Sequence, residues 1–93
     1  MTDKKNVKVV LVATTEDGAV FEGETFEDLV TAMKLDMWVV PRTREEYMEG
    51  VARRSEIFNG ERINYYDEQT FILELVRIGV ITSLVIERRE VDG

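Results

Sequence analysis

The sequence predicts a small α+β domain, a two-layer sandwich in the order β-β-α-α-(β)-α-β, with a three- to four-stranded sheet and three helices mainly on one face. Three observations carry that expectation. Two β-branched runs, Val7 to Thr15 and Val80 to Glu87, stand near the two ends of the chain. Between them lie three segments with apolar residues at helical spacing, each preceded by a capping residue, Thr25, Thr43 or Asp67. The 93 residues suffice for one core, and 44% apolar with 33% charged residues is the composition of a folded chain. A single domain is expected over 1–93, with an ordered part at about 7–87 and short polar tails at both ends.

The first run points Val7, Val9, Leu11 and Ala13 one way and Val10 and Val12 the other, so it is expected near the centre of the sheet. Glu16-Asp17-Gly18 is a polar turn whose glycine takes a positive φ, and Ala19 to Glu22 returns as a short strand in a hairpin. Thr25 then caps a helix with a stripe of Phe26, Leu29, Val30, Met33 and Met37. Trp38-Val39-Val40 leads to the sole proline, Pro41, which closes that helix.

The best-punctuated helix is Thr43 to Gly60. Thr43 caps the first turn, Glu46 stands at the capping-box position, and Asn59-Gly60 supplies a left-handed stop. Tyr47, Val51 and Phe58 are its expected packing face, with Arg54 at the edge, and Gly50 interrupts the interior as though something packs close. Arg62 to Tyr65 is expected as a brief third strand. Asp67 opens the last helix, with Phe71, Ile72, Leu75, Val76 and Ile78 inward and Gly79 ending it. Val80 to Glu87 should pair with the first strand, and Arg88 to Gly93 is expected as a frayed tail. A hydropathic echo links Thr25 with Leu29-Val30 to Asp67 with Phe71-Ile72.

Function is bounded mainly by exclusion. The chain has no cysteine and no histidine, which removes disulfides, thiolate nucleophiles, Cys-based zinc sites and the commonest general base. Ser55 and Ser83 lie in no G-x-S-x-G elbow, and there is neither a P-loop nor a G-x-G-x-x-G. The carboxylates Glu16, Asp17, Glu22, Glu24, Glu27 and Asp28 lack the spacing of a calcium loop. No catalytic residue, cofactor or metal is therefore assigned. The net charge of −7 opposes nucleic-acid backbones and anionic membranes and favours a basic protein partner. No membrane-length apolar run and no signal-peptide core are visible, so a cytoplasmic setting is expected.

The leading expectation is a non-catalytic protein-protein interaction module, a small acidic regulatory or accessory protein. The alternative is a nucleic-acid-associated protein using the central-helix arginines; an enzyme relying on carboxylates and arginine, without histidine or cysteine, ranks below both. Candidate contact residues are Arg53 and Arg54 on the central helix, Glu22 and Glu24 in the acidic run, and Trp38, which lies off its helix stripe, as does Leu73. Val10, Val12 and Val85 complete the set, as an apolar sheet face open to a second copy in a homodimer.

Overall fold

The computed structural model describes residues 6–91 and has a three-stranded antiparallel sheet with three helices, a small α+β fold. The elements are β1 (Asn6–Thr15), β2 (Val20–Gly23), α1 (Phe26–Leu35), α2 (Arg44–Asn59), α3 (Glu68–Arg77) and β3 (Ile81–Val91). The strand order is β2-β1-β3, so β1 alone has a neighbour on each side. The hairpin from β1 to β2 closes through Thr15 N–H to Ala19 C=O at 2.8 Å, with Gly18 at φ 88°.

Each helix starts as its capping residue dictates. Thr25, Thr43 and Asp67 are extended and accept from the N–H of Asp28, Glu46 and Thr70. Each cap satisfies one otherwise orphaned donor, worth about 1 kcal/mol at an ordinary Ser/Thr cap. The end of α2 is set by Gly60 at φ 68°, where Gly60 N–H reaches Glu56 C=O and Glu61 N–H reaches Ser55 C=O.

The core forms between one sheet face and the helices. Leu11 and Ala13 of β1 meet Leu29, Val30 and Met33 of α1 and Phe71, Ile72 and Leu75 of α3, with Phe21 and Leu84 packed alongside. Register explains the set: Phe21 and Leu84 are both opposite Ala13, hence on its face. The Tyr47 and Phe71 rings meet edge to face at 5.9 Å and 74°, a contact worth roughly 0.5–1.5 kcal/mol beyond burial. Burial pushes the Tyr47 phenol up to about 12, against a smaller downward pull from Arg54 and an upward one from Asp36.

Four expectations are corrected. Arg62 to Tyr65 is not a strand, because its backbone is satisfied by α3: Asn64 N–H donates to Glu74 Oε1 at 3.0 Å and Arg77 Nη2 donates to Arg62 C=O at 3.1 Å. Phe58 is exposed and not part of the packing face. Its azimuth matches Tyr47, but α2 has 16 residues against 10 in α1, so its last turn overhangs its support. Val76 is likewise exposed at the edge of the α3 stripe. The expected tail is strand through Val91, because β1 starts at Asn6 and gives Arg88, Arg89 and Glu90 partners in Val9, Lys8 and Val7. The remaining tail residues, 1–5 and 92–93, lie outside the described residues.

The two glycines inside the fold have opposite reasons. A Cβ on Gly23 would stand 2.4 Å from the Leu29 backbone nitrogen, so the β2-to-α1 corner requires glycine. A Cβ on Gly50 would meet only the tip of Arg54, at 3.4 Å, so nothing packs close there. Gly23→Ala should therefore lose about 2–4 kcal/mol, whereas Gly50→Ala should gain about 0.5–1 kcal/mol by removing a helix-interior glycine. Urea unfolding of the two variants measures both; equal effects of the same sign contradict this assignment.

Candidate functional site

The two faces of β1 have different fates. On the face away from the helices stand Lys8, Val10 and Val12, with Arg89, Glu87 and Val85 opposite them on β3 and Glu22 opposite Val12 on β2. Val10 and Val12 are only 4% and 9% exposed although no helix covers them. The cover is an ion-pair network. Arg89 holds Glu22 bidentately at 2.8 and 3.1 Å and Glu87 at 2.7 Å. Arg89 is opposite Lys8 and Glu22 is opposite Val12, so the bridge between them passes diagonally over Val10. The stem of Arg89 thereby shields apolar surface while its guanidinium stays in water. Hydrogen bonding to the two carboxylates raises the Arg89 guanidinium above its ordinary range, and the Arg89 contact lowers Glu22. Glu24 pairs with Lys8 at 3.1 Å on the same end.

Val10 and Val12 are consequently not the open apolar surface expected of them; of that set only Val85 remains half-exposed. Glu22 and Glu24 are engaged within the sheet instead of standing free. Arg53 and Arg54 are exposed on α2, apart from this network. Arg53 pairs with Glu49 at 3.4 Å, while Arg44 and Arg62 pair with Glu68 and Glu56. Arg54 has no carboxylate partner among the described residues, and Phe58 near it is exposed. Trp38 is fully exposed in the link from α1 to α2, beside exposed Val39 and Val40. Leu73 is about half-exposed, and neither Tyr65 nor Tyr66 is buried.

The surface that the sequence reading missed lies at the far end of β1. Beyond Leu11, which is opposite Gly23 at the end of β2, residues 6–10 pair with β3 alone. The result is a two-stranded ribbon projecting from the helix-covered sheet, in a molecule 59 Å long and 25 Å across. On its helix-side face Val7 and Val9 are 46% and 47% exposed, and at its root Ile86, opposite Leu11, is 66% exposed. Element lengths explain why. Ten residues of strand span ~33 Å while ten of helix span ~15 Å, so α1 cannot shelter the whole of β1. No family model, curated protein or solved structure matches this chain. Among the described residues no group of three or more potential metal ligands comes together, and no helix is long and apolar enough to cross a membrane.

Four carboxylates lie below their ordinary values of 3.8 for Asp17 and Asp67 and 4.5 for Glu22 and Glu74. The main causes are the Thr15 hydroxyl, the Thr70 N–H, Arg89 and Arg77 respectively. A carboxylate depressed in the folded state stabilises above its unfolded pKa, and that contribution disappears as pH falls through the lower folded value. The unfolding midpoint should hold steady down to about pH 5 and decline in more acid solution. Glu22→Gln should make that decline shallower, as followed by circular dichroism; an acid profile identical to wild type contradicts the role given to the Arg89 bridge.

Proposed function

We propose that this chain is a non-catalytic protein-protein interaction module that uses the projecting β1-β3 ribbon as its contact surface. The observation that supports the reading is the exposure of Val7 and Val9 on the ribbon and of Ile86 at its root, where among the described residues no helix covers them. A two-stranded ribbon is marginal on its own in water, and one with an apolar face gains stability when a partner covers that face. The outer edge of β3 adds a second means of contact, because among the described residues no strand lies beside its backbone groups on that side. A second copy of the chain is the simplest such partner. A different protein of basic character also fits the net charge of −7. A regulatory or accessory role in the cytoplasm belongs to this reading.

Central-helix arginines give the nucleic-acid alternative less support, since Arg53 already has Glu49 and acidic side chains surround the group.

Two measurements test the proposal. In sedimentation velocity from micromolar to millimolar protein, wild type should associate and Ile86→Lys should not, with the unfolding midpoint of the two alike. A photo-crosslinker placed at position 86 in the native host should give a protein adduct that Val9→Asp abolishes. A wild-type monomer throughout, together with no more adduct at 86 than at exposed Glu27, overturns the proposal.

A further inference from the structure

At the opposite end of β1 from the ribbon, the β1-to-β2 turn, the C-terminus of α1 and Tyr47, Val51 and Asn59 of α2 line a cavity of about 410 Å³. That size is within the range of small-molecule sites. Its apolar lining includes Phe21, Met37 and Val51. Its lining includes the carboxylates Glu16, Asp17 and Asp36. Asp17 is occupied by the turn, where Thr15 Oγ1 donates to it and Ala19 N–H approaches it. Glu16 and Asp36 have no cation paired with them among the described residues.

Tyr47 also lines this cavity, and it points to a ligand independently of the acids. Its side chain is buried, with the residue 7% exposed, yet its hydroxyl makes no hydrogen bond among the described residues. A buried phenol ordinarily finds a partner. This hydroxyl is not sealed off either, since no fully enclosed polar atom is left unsatisfied. It opens on the cavity, which leaves it able to bond whatever enters. Asp36 lies close enough for its charge to act on the phenol, and Arg54, outside the lining, acts on it with the opposite sign.

The electrostatics select the sign of that occupant. Asp36 is the C-cap of α1, where the helix dipole is already negative and a carboxylate is unfavourable without a cation. Three carboxylates against one outlying guanidinium leave the mouth anionic. An apolar lining with an anionic mouth suits a molecule with an apolar body and a positive head.

We propose that this cavity is a binding site for a small alkylammonium. The alkyl chain lies on Phe21, Met37 and Val51, and the ammonium donates to the Tyr47 hydroxyl and to Asp36. The proposal does not depend on the ribbon, since the two surfaces lie at opposite ends of β1, and either can fail alone.

The test is a titration of the isotope-labelled protein with hexylammonium chloride, followed through backbone amide shifts, with hexanol and hexanoate in parallel. Hexylammonium should produce saturable shifts centred on Phe21, Met37 and Val51, and the other two should bind at least about tenfold more weakly. Asp36→Asn, a surface change that leaves the core intact, should weaken hexylammonium about tenfold, and Tyr47→Phe, which removes only the hydroxyl, should weaken it severalfold. Equal binding of hexanol overturns the proposal, as do shifts that never saturate and spread over the acidic surface. An Asp36→Asn variant that keeps its fold and full affinity overturns it too.

Discussion

Among the described residues every strand pairing passes through β1. It pairs with β2 over four residues and with β3 along its whole length, and no other pair of the described strands meets. Its alternation therefore decides what each side of the sheet becomes. Leu11 and Ala13 draw α1 and α3 onto one face, while Val10 and Val12 leave an apolar stripe on the other. A register slip of one residue would exchange these sets and lose the core, so the register is strongly specified here.

The two stripes are covered by different physics. Side chains such as Phe71 and Leu29, wholly buried, close the helix side with ordinary apolar packing. On the other side the cover is the Arg89 bridge to Glu22 and Glu87, long polar side chains laid over two valines. That arrangement leaves a charged outer surface above apolar residues, and it removes the sheet face as the obvious place for a partner. The helix-side cover also ends early, because a strand gains more than twice as much length per residue as a helix. Val7, Val9 and Ile86 are what remains uncovered.

Much of the fold was legible from periodicity and punctuation. Thr25, Thr43, Asp67 and Gly60 act as the sequence indicates, and the pairing of the two long β-branched runs follows from their apolar character on both faces. What the sequence hid depends on relative length and on long-range charge. Phe58 and Ile86 face the right way for burial, yet both are exposed, and no local pattern reports where a neighbouring helix stops. Arg89 and Glu22 are far apart in the chain, so their joint role over Val10 becomes visible only once the register of both outer strands is known. Arg62 to Asn64 has a strand-like composition but was captured by Glu74 and Arg77, a competition between side-chain and ladder hydrogen bonds that composition does not report.

On the function proposed for it, the ribbon is completed by a partner and joined to a sheet that is stable within the chain. Amide hydrogen exchange residue by residue tests that division most directly. In dilute protein the amides of Val10 to Ala13 that face a neighbouring strand should be among the slowest, while those at residues 7–9 and 88–90 should exchange far faster and slow markedly once a partner or high protein concentration covers them. Uniformly slow exchange along β1 and β3 in dilute monomer, unchanged by concentration, would contradict it.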